Sequence, residues 1–265
     1  MPGRREAGFR EVLQWEVENI LRFPVLELVA VLTGFTMASC GSIHVSSSSL
    51  GRVLSWDELA ASLAPSMAFT IRLGDLYDML TYVYSALTAF SVAYEAASGR
   101  LELLLSYPVS RGRVFLAKVT VCLLTPVVVF CLAGFASLAL AYPGYLAFMA
   151  ADLPLIALLA VSESAFIFSL AFAVALALRE PIAAFLGSLI ILQVVKGFSG
   201  QVVVQGVPLL PPEGVKWAAS AFFSRMRPVA PGSYLGVFVT LFVSVVLLAA
   251  SYTYFTRWFE PCRAG

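Results

Sequence analysis

The sequence predicts an all-α membrane protein with about six transmembrane helices. Of its 265 residues, 60% are hydrophobic and 12% are charged, whereas soluble domains carry about 25% charged residues. Apolar runs of the length needed to cross a hydrocarbon core, roughly 20 residues, recur along the chain. Little sequence remains for a soluble domain, so we expect residues 1–265 to form a single transmembrane domain.

Charge and cysteine content exclude several classes of protein. The net charge is +1, and the basic residues are scattered rather than gathered into a stripe, so no nucleic-acid partner is predicted. The cysteines have no metal-ligand spacing and are interpreted as small apolar residues. A charged segment precedes the first apolar run, which is therefore predicted to be a retained span rather than a cleaved signal peptide.

An amphipathic helix over residues 4–22 is predicted before the first span. Its apolar residues recur on one broad face at helical spacing: Phe9, Val12, Leu13, Val17, Ile20 and Leu21. Glu16 interrupts that face, which leaves an ordinary solvated helix as an alternative. Pro24 ends the helix, and we expect it to lie at the membrane interface.

The predicted spans cover residues 25–42, 73–97, 119–141, 153–178, 182–195 and 234–254. A capping box at Ser55 and Glu58 predicts a short outer helix, Trp56–Leu63, and a second short helix is predicted over Glu213–Ser224. About eleven of the 17 Lys and Arg residues fall on one side of this arrangement. By the positive-inside rule, both termini and the segment around residues 100–113 are predicted to be cytoplasmic.

The connection between the second and third spans is unusual for a cytoplasmic loop. It leaves a span at Glu95, turns at Gly99, forms a short apolar helix over Leu101–Leu105, stops at Pro108 and restarts at Arg113. A linker needs only a few polar residues, whereas an apolar run flanked by charge and proline is typical of a surface that binds a partner.

This connection resembles the signature of the type-2 ABC transporter permeases. The residues that carry the resemblance are Glu95, Gly99, Leu101, Glu102, Leu104, Leu105, Tyr107, Pro108, Val109, Ser110, Arg111 and Lys118. The resemblance implies that residues 98–113 are a coupling loop whose helix docks into a separate ABC ATP-binding subunit. It also implies an N-terminal elbow helix and pairing with a second permease copy, identical or not, in the cell membrane.

Some signature residues have a simpler interpretation when each is taken alone. Glu102, Arg111 and Arg113 are equally well explained as solvated loop charges that follow the positive-inside rule. Lys118 is expected to extend its ammonium to the inner membrane interface. The ordered set, rather than any single charge, predicts coupling.

The chain is predicted not to be an enzyme. It contains no glycine-rich phosphate-binding motif, so ATP and Mg²⁺ are expected on the partner subunit and no cofactor is expected here. His44 is the only histidine, which argues against an intramembrane metalloprotease and a metal site. The alternative function is a non-transporting, ATPase-coupled membrane anchor or assembly factor.

Three ionisable residues within the predicted spans are candidate pathway residues. Glu163 could line a pathway, carry a proton or form a structural hydrogen bond between helices. Asp75 and Asp78 lie near the outer end of the second span, where we favour a structural role over contact with a cationic substrate. An amphipathic organic compound or lipid is the default substrate.

Overall fold

The computed structural model describes residues 9–20, 31, 64–107, 109–141, 153–223, 232 and 234–259. Its helices are α1 (Phe9–Ile20), α2 (Ala64–Thr88), α3 (Glu95–Ala97), α4 (Arg100–Ser106), α5 (Arg111–Ala141), α6 (Leu153–Leu178), α7 (Pro181–Phe198), α8 (Glu213–Phe223) and α9 (Leu235–Arg257). A π-helical segment, Ala89–Tyr94, joins α2 to α3. A small antiparallel hairpin, β1 (Val203–Val204) and β2 (Val207–Pro208), precedes α8.

Helices α5, α6, α7 and α9 are, in the described part of the chain, long and apolar enough to cross a membrane. They coincide with the last four predicted spans, which supports the assignment to the membrane. The predicted second span lies within a longer continuous helical run from Ala64 to Ala97. The first span at 25–42, apart from Val31, and the short helix at 56–63 lie outside the described residues, so the total of six remains a prediction.

Helix α6 is the centre of the described bundle and packs against α2, α5, α7, α8 and α9. Small buried residues on α6, such as Ala171 and Ala175, allow neighbouring helices to approach closely. Its rings join a wider aromatic core, in which Phe168 lies 5.7 Å from Tyr84 of α2 and Phe172 lies 5.4 Å from Phe115 of α5, measured between centroids. The aromatic core therefore links α6 to both α2 and α5.

Helices α7 and α9 expose apolar side chains on their outer faces. Large examples, each between 63% and 69% exposed, are Ile182, Ile190, Phe238, Phe242 and Val245. Such faces would be unfavourable in water but match the hydrocarbon of a bilayer. The lipid bilayer is thus the environment that these helices fit.

One end of the bundle gathers three segments that are far apart in sequence. Arg111, at the start of α5, donates to the Phe259 carbonyl at 3.2 Å. Arg179, in the turn between α6 and α7, donates to the Tyr254 hydroxyl at 2.9 Å and lies over the Phe259 ring. The start of α5, the α6–α7 turn and the end of α9 therefore share one side, as the predicted topology requires.

The hairpin and α8 lie at the opposite end of the bundle. Helix α8 packs there against α2 and α9. Gly236 of α9 and Gly214 of α8 lie in contact, since a Cβ added to Gly236 would stand 2.8 Å from the Gly214 Cα. On the same side, the Lys196 ammonium of α7 pairs with Asp78 of α2 at 2.6 Å.

Candidate functional site

The segment after the second predicted span turns sharply at Gly99. The Ser98 amide donates to the Tyr94 carbonyl at 2.8 Å, which ends the preceding helical run. Gly99 follows with φ of +73°, a left-handed conformation that glycine adopts without the steric cost of a side chain. This turn separates α4 from the preceding helical run, and it occurs at Gly99, where the sequence predicted it.

Helix α4 has one buried and one exposed apolar face. Leu101 is fully buried in the main core, and Leu104 and Leu105 pack against that core. Leu103 and Tyr107 instead remain 63% and 59% exposed. The short helix is therefore anchored on one side and presents an apolar surface on the other.

Helix α5 begins at Arg111, earlier than the predicted third span and the predicted restart at Arg113. The Ser110 carbonyl accepts from the amides of Arg113 and Val114, which sets this start. The predicted coupling loop at 98–113 thus contains α4 and the first residues of α5. Pro108, which was expected to end α4, lies outside the described residues.

A buried ion cluster, formed by Glu16, Glu95 and Lys118, lies beside this segment. The Lys118 Nζ is 2.6 Å from Glu95 Oε2 and 2.8 Å from Glu16 Oε1, and it donates to the Ser91 carbonyl at 3.0 Å. Lys118 is only 1% exposed. The expectation that its ammonium reaches the membrane interface was therefore wrong, because two carboxylates hold the ammonium inside the protein.

The sequence interpretation of α1 missed the role of Glu16. The buried face of α1 is formed by Val12, Glu16 and Ile20, at successive spacings of four residues. Phe9 and Val17, which were predicted on the apolar face, are exposed. The signal was present in the spacing, since a carboxylate midway between two buried residues requires a partner on the element against which the helix packs.

The cluster contains two carboxylates and one ammonium, which sum to a charge of −1. Asn19 Nδ2 donates to Glu95 Oε1 at 2.5 Å, so both oxygens of Glu95 accept a hydrogen bond. Neither oxygen of Glu16 has an aligned hydrogen-bond donor among the described residues. Burial raises the pKa of Glu16 more than the nearby Lys118 lowers it.

The remaining candidate residues lie in different surroundings. Glu102 is half-buried on α4 and Arg111 is exposed while bonded to Phe259. Asp78 is paired with Lys196, and its predicted structural role stays a prediction. Asp75 lies on α2, but its side chain is outside the described part of the structure. Glu163 is fully buried on α6.

The sequence matches no protein-family model, and no curated protein matches it. The functional interpretation therefore depends on the signature residues and on the geometry that surrounds them.

Proposed function

We propose that this chain is the membrane-spanning permease subunit of an ATP-driven ABC exporter, and that α4 is the helix that couples it to a separate ATP-binding subunit. The observation that carries the proposal is that α4 has one buried face and one exposed apolar face. Leu101 fixes the helix to the core, while Leu103 and Tyr107 face outward. An exposed apolar surface on a fixed short helix is suited to inserting into a groove on a partner protein.

The buried ion cluster supports this role because it makes the coupling region one mechanical unit. Lys118 of α5 is bound to Glu95 of α3, and to Glu16 of α1. A displacement of α4 therefore reaches α1, α2 and α5 together rather than being lost in a flexible loop. Breaking such a buried pair is costly, so the unit is expected to move as a whole during the transport cycle.

The proposal defines the partners of the chain. ATP and Mg²⁺ belong to the ATP-binding subunit, and a second permease copy, identical or different, completes the exporter. The chain resides in the cell membrane with both termini in the cytoplasm, on the side of Arg111, Arg179 and Arg257. This orientation follows the positive-inside rule.

The test is co-purification of the tagged chain in detergent with candidate ATP-binding subunits expressed in the same cells. Leu103→Glu places a charge on the exposed face of α4 and is expected to reduce recovery of the ATPase at least tenfold. Trp258→Glu is the matched control, because Trp258 is 76% exposed near the same end of the bundle but is not on α4. Equal recovery with all three proteins would contradict docking through α4.

Transport itself needs a second measurement. The purified assembly is reconstituted in vesicles with amphipathic dyes and lipid analogues as probes. ATP-dependent movement of a probe is expected for an exporter and is lost with Leu103→Glu. ATP hydrolysis that requires the chain but moves no probe would instead favour a mechanically coupled anchor.

A further inference from the structure

Glu163 carries a carboxyl group that is buried in the middle of the central helix. Its side chain is 0% exposed, and neither oxygen has a hydrogen-bond donor among the described residues. An unpaired carboxylate inside an apolar bundle is strongly unfavourable. The structural hydrogen bond between helices, which was one interpretation of this residue, is not formed to any described group.

The charged groups closest to Glu163 are already paired. Lys216 of α8 and Asp78 of α2 are near enough to interact with it electrostatically. Lys216 Nζ, however, lies 2.7 Å from Glu213, and Asp78 binds Lys196 of α7. Neither of these neighbours is available to neutralise Glu163 as a dedicated ion-pair partner.

Among the described residues, the other helices around α6 supply no replacement. The Tyr77 hydroxyl of α2 donates to the Leu192 carbonyl at 3.0 Å. On α9, the buried Thr240 and Ser244 hydroxyls both donate to carbonyls of their own helix. Helix α5 carries no carboxylate or amine in the sequence after Lys118. Among the described residues, no group neutralises an ionised Glu163. Protonation of its carboxyl group therefore avoids the cost of a buried charge.

A second observation points to the same place. The buried hydroxyls of Thr81 and Ser85 on α2 also have no partner among the described residues. This is unusual in the bundle, since Thr88 of α2 and Ser162 and Ser169 of α6 donate to carbonyls of their own helices. Helices α2 and α6 pack against each other, and we call Thr81, Ser85 and Glu163, which have no partner among the described residues, the polar seam between them.

The register of the two helices brings Thr81 and Glu163 to similar heights. Asp78 meets Lys196 near the end of α7, while the π-helical segment beyond α2 also packs on α7, so α2 runs antiparallel to α7. Helix α6 packs on α7 and is separated from it by only Arg179 and Glu180, so it too runs antiparallel to α7. The Tyr84 ring contacts the Phe168 ring. At about 1.5 Å per residue, Thr81 precedes Tyr84 by about 4.5 Å along α2 and Glu163 precedes Phe168 by about 7.5 Å along α6, so the two polar groups lie at similar heights.

We propose that Glu163 is a proton-binding site within the membrane bundle, and that the polar seam between α2 and α6 is where this proton exchanges with water. The carboxyl is neutral in the arrangement described. When α2 and α6 separate, it releases its proton to water as hydronium and takes one up again before the seam closes. The inference does not rest on the proposed export function, because proton binding is a property of the bundle alone.

The test uses the native chain in lipid vesicles and the probe dicyclohexylcarbodiimide, which reacts with protonated carboxyl groups in apolar surroundings. A covalent adduct is expected at Glu163, located by peptide mass analysis, with a rate that falls as the pH is raised. Glu95, which is bonded to Lys118 and Asn19, is the internal comparison and is expected to react at least tenfold more slowly. Glu163→Gln is expected to lose the adduct while retaining the native elution profile.

Infrared spectroscopy of the same vesicles measures exchange without any substitution. A protonated carboxyl band that shifts on transfer to heavy water, and that is absent from Glu163→Gln, is the expected result. Absence of the band, or a band that does not shift, would overturn the proposal. Suppression of the carbodiimide reaction by sodium at constant pH would also overturn it, since the seam would then be a sodium site.

Discussion

The Nζ of Lys118 lies 2.6 Å from Glu95 Oε2, and the chain between these two residues contains the whole of α4. The ion pair thus joins the two ends of the segment that we propose as the coupling element. Glu16 joins from α1, so three sequence regions meet at one ammonium.

Replacing Lys118 by methionine is expected to destabilise the protein by about 3–5 kcal/mol, because two buried carboxylates lose their counter-ion. Thermal unfolding in a fixed detergent measures the loss. Lys196→Met is the matched control, since its pair with Asp78 is 35% and 39% exposed and exposed pairs contribute up to about 1 kcal/mol. Similar losses for the two variants would show that the buried cluster has no special importance.

Stability is expected to fall as the pH is raised from just above 4.5, the usual pKa of a glutamate, towards neutrality. Burial raises the pKa of Glu16 in the folded protein, so over this interval the folded state binds more protons than the unfolded state, and the free energy of unfolding decreases. The stability that proton binding by Glu16 contributes is fully present below pH 4.5 and is lost as the pH rises through the folded-state pKa of Glu16. Each tenfold difference in proton affinity corresponds to about 1.4 kcal/mol.

Glu16→Gln tests this origin, because an amide cannot titrate. Unfolding curves recorded across the same interval should show a weaker pH dependence for Glu16→Gln than for the native protein. Glu18→Gln is the control, since Glu18 is an exposed carboxylate on the same helix. An unchanged slope in Glu16→Gln would assign the effect to another group.

Substitution of two leucines on α4 is expected to affect stability and partner binding differently. Leu101→Ala should cost about 2–5 kcal/mol, because Leu101 is fully buried in the core. Leu103→Ala should leave the unfolding temperature nearly unchanged, since its side chain is 63% exposed, yet it should weaken binding of the ATP-binding subunit. A large loss of stability for Leu103→Ala would mean that the outward face of α4 is covered within the folded chain.

Gly99→Ala is expected to destabilise the turn before α4 by about 1 kcal/mol, because φ of +73° is unfavourable for a residue with a Cβ. Gly197→Ala is a suitable comparison, because a Cβ there meets no atom within 4 Å and alanine favours the helix. Thermal unfolding should therefore move in opposite directions in the two variants. The same direction in both would argue against strain at Gly99.

The long helices were predictable because each depends on a local pattern. Helix α6 has the bounds 153–178 that its apolar run predicted, and Glu180 accepts from the amides of Ile182 and Ala183 at the start of α7. Helix α5 begins earlier than the predicted span, because its first turn is set by Ser110 and extends beyond the apolar run. Apolar runs indicate the extent of membrane contact better than they indicate the ends of helices.

The ion cluster was not predictable in the same way. Glu95 and Lys118 appeared in the coupling signature, but neither periodicity nor hydropathy relates them to Glu16 in a distant part of the chain. Their association depends on the packing of α1 against α5, which is a property of the tertiary fold. For the same reason, the lack of partners at Glu163, Thr81 and Ser85 became apparent only once the helices were assembled.

The π-helical segment Ala89–Tyr94 stands directly before Glu95. A π turn accommodates an extra residue relative to an α turn, so a return to α geometry would rotate everything that follows by about 100°. We expect deletion of Ala93 to regularise this turn and separate Glu95 from Lys118, which would appear as a loss of stability close to that of Lys118→Met. The helical run from Ala64 to Ala97 thus contains one residue more than a regular α-helix of the same length, and this extra residue determines the direction in which α4 leaves the bundle.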